Sequence, residues 1–191
     1  ESWQILPPEQ AGAEAAQILC ATVRTLAEQI RHATAGLSPQ PADITLTVGK
    51  IRLTGRIRLY GEKQITFRLA KTKAKDMLAL WIRHLALLAA GYNICSEHLG
   101  KEDGFSAPFP PEPRSILETL VHIFAQGQTR PLPLFPEASL AYAQKIQAGK
   151  NAHEAMEEAW KIWLGSDYAP GDKENPHARL IYGDTEPDWA E

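Results

Sequence analysis

The chain has 191 residues, 44% of them hydrophobic and 23% charged, a length and balance that suit a globular fold with a sizeable core. Its formal net charge of −3 excludes a bulk cationic field as the route to nucleic acid, so any anion-binding surface has to be local. Two distant cysteines, Cys20 and Cys95, make neither a disulfide framework nor a zinc site and fit a reducing compartment.

In chain order, Pro7 and Pro8 precede an Ala-rich segment from Glu9 to Ala35. There Ala15, Ile18, Leu19, Val23, Leu26 and Ile30 recur at helical spacing, and Gly36 follows as a stop. Three strand-like runs come next. Ile44, Leu46 and Val48 alternate with Thr45 and Thr47; Gly49-Lys50 forms a tight turn. Ile51, Leu53, Ile57 and Leu59 alternate with Arg52, Thr54, Arg56 and Arg58. After a second turn at Gly61, Ile65, Phe67 and Leu69 alternate with Thr66 and Arg68. Period-two alternation between glycine turns predicts an antiparallel three-stranded meander with one buried face, on which Phe67 points to the core.

A second helix is predicted over Lys73 to Ala90, ended by Gly91 and apolar nearly all round, hence deeply buried. Its apolar stretch, Met77 to Ala90, is interrupted by Arg83 and His84 and is too short to span a bilayer. Tyr92 to Cys95 is a candidate strand; the Gly- and Pro-rich stretch to Pro113 reads as loop with one short strand near Phe105. Ser115 and Glu118 have capping-box spacing before a third helix, which ends near Gly127. Pro131 to Pro136 is extended. Two further helices are expected over Ala138 to Ala148 and Ala152 to Leu164, followed by a polar, turn-rich tail except for Ala178 to Tyr182. No signal peptide opens the chain, which begins at Glu1 without an initiator Met and is read as a piece of a longer protein.

The sharpest local anomaly is charge. Nine of the chain's 20 basic residues fall between Lys50 and Lys75, with Glu62 the one acid among them. Strand alternation places Arg52, Arg56, Arg58 and Arg68 on the non-core face of the meander, and Lys71 and Lys73 follow. Such a face suits phosphate or an acidic partner; the plain alternative is a solvated sheet face. Tyr60 and Phe67 are the aromatic residues within this stretch, which argues against a base-stacking platform. Catalytic patterns are poor. The six histidines lack metal-ligand spacing, with His84 and His122 read as core or rim residues on helices, and Ser139 and Ser166 lack a nucleophile elbow. No phosphate-binding glycine loop is present.

The order helix, meander, long helix resembles the core of the restriction-like PD-(D/E)XK nucleases. In RecB-type members the second strand carries Gly-x-Ile-Asp and the third Asp-Tyr-Lys; the acids hold Mg²⁺ and the lysine orients the attacking water. Here the second strand reads Gly55-Arg56-Ile57-Arg58, and the third ends Arg68-Leu69-Ala70-Lys71. Arg58 and Arg68 stand at the two acid positions, Ala70 replaces the lysine, and Lys71 lies one register off. Cations at a metal position repel the metal, so catalytic residues and metal ligands are expected to be absent.

A longer succession is more specific. It runs from Gly55-Arg56-Ile57-Arg58-Leu59-Tyr60 through Arg68 to Asp76, then Leu80-Trp81-Ile82-Arg83-His84-Leu85. Phe109-Pro110-Pro111 and Pro131-Leu132-Pro133-Leu134-Phe135-Pro136-Glu137 follow. Over nearly the whole chain it resembles the RecC C-terminal domain family, part of the gamma subunit of exodeoxyribonuclease V (RecBCD). The resemblance implies an α/β (α+β) fold with a restriction-endonuclease-like core. It implies a single domain over residues 1–191, with a core at about 9–91 and additional helices and extended segments over 92–191. It further implies a non-catalytic role in double-strand-break repair and recombination, guiding duplex and single-stranded DNA and contacting the RecB and RecD subunits. No cofactor belongs to this domain on that reading, Mg²⁺ and ATP being used by other subunits. The location is cytoplasmic, with no membrane partner, and Chi recognition falls largely in an upstream helicase-like part.

Two other readings stand beside this one. In the first, the arginine face meets acidic residues of a neighbouring subunit and the chain is a scaffold; Trp81, Trp160, Trp163 and Pro131 to Pro136 supply apolar anchors. In the second, the chain is an active nuclease with acids donated by Glu14, Asp43 or Asp76.

Overall fold

The computed structural model describes residues 9–183, together with Thr185 and Pro187; the expected helix-start signal at Pro7 and Pro8 lies outside the described residues. The architecture is mixed α/β. It divides into two compact units, one formed by the residues up to Thr72 with Ala79–Leu117, the other by Lys73–Leu78 with the residues from Glu118 on.

The first unit opens with helix α1, Glu9–Ala33. Its C-terminus closes with two hydrogen bonds, Gly36 N–H to the Arg31 carbonyl and Ala35 N–H to the His32 carbonyl, both 3.1 Å. This motif demands left-handed backbone at Ala35, whose φ is 50°. An L-residue with a Cβ is strained there, so Ala35→Gly should stabilise the unit by about 0.5–1 kcal/mol, read as an increase in urea midpoint. The apolar stripe of α1 is only partly buried. Leu26 is buried, whereas Ile18, Leu19 and Val23 are 68%, 51% and 46% exposed.

Strands β1 (Gln40–Val48) and β2 (Ile51–Leu59) form the expected antiparallel hairpin, in register from Val48 opposite Ile51 to Gln40 opposite Leu59. The turn needs Gly49, at φ 58°. Ala42, Ile44 and Leu59 carry the buried face, against Leu87 and Ile94.

The third strand departs from the predicted meander. β3 (Lys63–Phe67) keeps a single bridge to the hairpin, Tyr60 opposite Lys63. It then pairs in parallel with β4 (Cys95–Leu99), which pairs antiparallel with β5 (Gly104–Ser106). Helix α2 (Ala74–Ala89) makes the crossover between the parallel strands. Parallel strands are covered on both faces, and adjacent Gln64 and Ile65 are both buried. That breaks the alternation, so Phe67 is 53% and Leu69 39% exposed rather than turned to the core. Leu80, His84, Leu85 and Leu87 of α2 are fully buried, as its all-round apolarity predicts.

Helix α3 spans Pro113–Gly127 and begins two residues before the expected cap at Ser115, because proline suits the first turn. In the second unit, α4 (Pro136–Gln147) and α5 (Ala152–Leu164) form a helical pair. They are followed by a short hairpin of β6 (Gly165–Ser166) and β7 (Ala169–Pro170), a 3-10 turn at Asp172–Glu174, and α6 (Pro176–Tyr182). Their core is aromatic: Phe135 lies 4.2 Å from Trp163 and 5.6 Å from Tyr182, ring centre to ring centre. Side chains cap four of the helices, Asn175 accepting from the His177 N–H at the start of α6 at 3.0 Å. Glu137 accepts from the Ala74 N–H, Asp172 from the Ala138 N–H, and Asn151 from the Glu154 N–H, each at 2.9 Å.

Candidate anion-binding face

The hairpin register decides which basic side chains share a surface. Arg52, Arg56 and Arg58 all lie on the exposed face of β2, opposite Thr47, Asp43 and Pro41 of β1. The three are not equivalent. Arg56 donates through Nε to Asp43 Oδ1 at 2.6 Å and through Nη2 to Asp43 Oδ2 at 3.2 Å. These hydrogen bonds, helped by the guanidinium charge, hold the Asp43 carboxyl below its ordinary range and raise the Arg56 pKa. Arg52 and Arg58 have no such carboxylate across the strand pair.

A fourth arginine joins this region. Arg114, in the first turn of α3, donates through Nη2 to the Thr47 carbonyl at 2.7 Å. Thr47 is the register partner of Arg52, so an exposed guanidinium is tied beside the turn end of the hairpin. Arg114 lies 67 positions from Thr47, and no local pattern in the sequence signals the contact. The Asp43–Arg56 pairing was legible, because a two-residue turn at Gly49-Lys50 sets every partner outwards from Val48 and Ile51.

The remaining predicted residues lie elsewhere. Arg68 follows the end of β3, is half-buried, and donates its backbone N–H to the Leu99 carbonyl at 2.9 Å, so it extends the β3–β4 ladder and not the hairpin face. Lys71 is exposed in the next loop. That loop is clamped by Asp103, which accepts from the Thr72 N–H at 2.9 Å and the Thr72 hydroxyl at 2.6 Å. Those hydrogen bonds, then the charges of Lys71 and His98, keep the Asp103 carboxyl below its usual range. Lys73 belongs to the second unit, with its N–H donated to Asp76.

Among the described residues no group of three or more His, Cys, Asp or Glu side chains is placed to hold a metal ion. The three carboxylates considered as donated acids have local partners: Glu14 accepts from Gln10, Asp43 from Arg56, and Asp76 from the Lys73 N–H. A cleft of about 810 Å³ in the first unit is lined by Glu28, Glu97, Glu102 and Asp103 against Lys63 and His32, a charge balance that disfavours phosphate. No described helix is long and apolar enough to cross a membrane, and both cysteines are free and exposed.

The Leu-Trp-x-x-His-Leu segment serves the fold. His84 Nδ1 lies 2.9 Å from the Ser96 hydroxyl, which donates to Gln64 Oε1 at 2.9 Å, and all three side chains are buried. The His84 ring packs edge-on against Phe109 at 5.1 Å.

Fold and site together define a mixed α/β chain whose most distinctive surface is a cationic hairpin face. The chain belongs to the RecC C-terminal domain family, whose model matches residues 3–147. It is 27% identical over 188 residues to the RecBCD enzyme subunit RecC of Mycobacterium tuberculosis, covering 91% of this chain and 16% of that protein. It is 31% identical over 125 residues to the RecBCD enzyme subunit RecC of Mycolicibacterium smegmatis, covering 59% of this chain and 11% of that protein. The Buchnera aphidicola RecBCD enzyme subunit RecC matches at 22% over 156 residues, 75% of this chain and 15% of that protein. The chain thus spans less than one-fifth of the length of these relatives.

Proposed function

We propose that this chain is a non-catalytic, nuclease-like part of a RecC subunit, and that it guides DNA phosphates along the hairpin face. One observation carries the reading: Arg52 and Arg58 are both exposed on the outer face of β2, and Arg114 is tethered to Thr47, the register partner of Arg52. The order helix, hairpin, strand, helix, parallel strand supports a restriction-like ancestry even though β3 leaves the meander. On this reading the domain uses no cofactor of its own, Mg²⁺ and ATP serve the RecB and RecD subunits, and the assembly works on duplex and single-stranded DNA in the cytoplasm.

The test is Arg52→Gln/Arg58→Gln in the intact subunit within its complex, with affinity for forked duplex DNA measured across a salt series. Loss of two phosphate contacts should reduce the log–log salt slope by about 1.8. An unchanged slope and affinity overturn the DNA role.

The exposed apolar stripe of α1, Ile18, Leu19 and Val23, favours a second reading in which the chain is a subunit-contact scaffold that DNA never touches. Ile18→Ser/Leu19→Ser/Val23→Ser separates the two. Loss of co-purifying subunits with DNA affinity unaltered selects the scaffold.

A further inference from the structure

We propose that Asp43 withdraws Arg56 from anion binding, so that the hairpin face works through Arg52, Arg58 and Arg114 with a neutralised centre. This inference rests on the reading of the face as a phosphate-binding surface.

The geometry gives the reason. Arg56 is the central arginine of β2 and, by sequence alone, as good a phosphate ligand as its neighbours. Asp43 stands directly opposite it and takes both Nε–H and an Nη2–H, at 2.6 and 3.2 Å. The Nη1 edge stays open, but a phosphate there would sit beside a carboxylate held in its charged form. Coulomb repulsion from Asp43 then offsets the attraction of Arg56, and the pair is nearly neutral to an anion at a distance. Arg52 and Arg58 face Thr47 and Pro41 and carry no such offset. The alternative role for the carboxylate, orienting Arg56 towards a phosphate, predicts the opposite response to its removal.

The test uses the intact subunit within its complex and a fluorescein-labelled forked DNA duplex, with anisotropy titrations over a series of KCl concentrations. Arg52→Gln/Arg58→Gln should weaken binding; if it does not, the phosphate-face reading fails. Given that loss, Asp43→Asn should tighten binding about five-fold and steepen the log–log salt slope by about 0.9, one additional phosphate contact. Asp43→Asn/Arg56→Gln should return both to the parent values. Unchanged or weaker binding by Asp43→Asn overturns the inference and leaves the face intact, as does a double variant weaker than the parent. Glu62→Gln removes a turn acid from the same basic stretch; an equal gain there would assign the effect to general field and overturn the inference.

Discussion

Gly171→Ala should lower the stability of the second unit by about 3 kcal/mol or more. A Cβ at Gly171 would lie 2.5 Å from the Gly165 nitrogen and the Leu164 carbonyl carbon, and closer still to the Trp163 carbonyl oxygen. All three are backbone atoms, so no side-chain rotation relieves the clash. Gly165 meets the Gly171 backbone in the same way at φ 75°, and the two glycines lock the base of the β6–β7 hairpin. Displacement of Gly171 carries directly to Asp172, whose carboxylate caps α4 through the Ala138 N–H. It also disturbs Trp163, which packs on Phe135 in the aromatic core. Urea unfolding followed by tryptophan fluorescence checks this, with Trp160 and Trp163 reporting on the affected unit. Gly55→Ala is the control, since open space surrounds a Cβ there. Equal midpoints for parent and Gly171→Ala would show that the hairpin base yields without cost.

The second large effect belongs to the buried polar chain of Gln64, Ser96 and His84. Ser96→Ala should cost about 2–4 kcal/mol, because it strands the Gln64 carbonyl and the His84 Nδ1 away from water. The same chain predicts how stability responds to acid. Burial pushes the His84 pKa below its ordinary 6.5, with the Pro108 carbonyl acting in the opposite sense. The folded state therefore holds a neutral imidazole, while the unfolded chain takes up a proton first as pH falls. Stability from this group is complete above about pH 6.5. It declines below that by up to about 1.4 kcal/mol per pH unit, until His84 protonates in the folded state. Unfolding free energies measured between pH 7.5 and pH 5 should show this slope in the parent and lose it in His84→Gln. A parent curve flat over that window would contradict the assignment.

What the sequence disclosed, and what it hid, follows the range of the interactions involved. The hairpin was readable because its alternation, its glycine turn and its register are all local, and Asp43 opposite Arg56 follows from the turn by counting. Helices α2 and α5 were readable because periodicity and end signals agree within a few residues. The partner of β3 was not readable. Gln64 and Ser96 are 32 positions apart, and the β4 run Cys-Ser-Glu-His-Leu has none of the β-branched alternation that marks a strand. Phe67 was misassigned for the same reason: its environment is set by β4 and not by the hairpin. Arg68 followed it, moving from the hairpin face to the end of another sheet. The stripe of α1 was legible as an apolar helix face, but periodicity does not say what covers such a face, and Ile18, Leu19 and Val23 are exposed.

The parallel pairing of β3 with β4 also shapes how the chain assembles. A two-residue hairpin zips in microseconds, as soon as both strands are available. β3 cannot join a ladder until β4 exists, because its single bridge to the hairpin satisfies few of its backbone groups. At a ribosome adding about 5–20 residues per second, the interval between Gln64 and Ser96 amounts to some 2–6 s during which β3 waits with an open edge. Two basic residues, Lys63 and Arg68, bracket that edge. Charge at a waiting strand discourages pairing with neighbouring nascent chains.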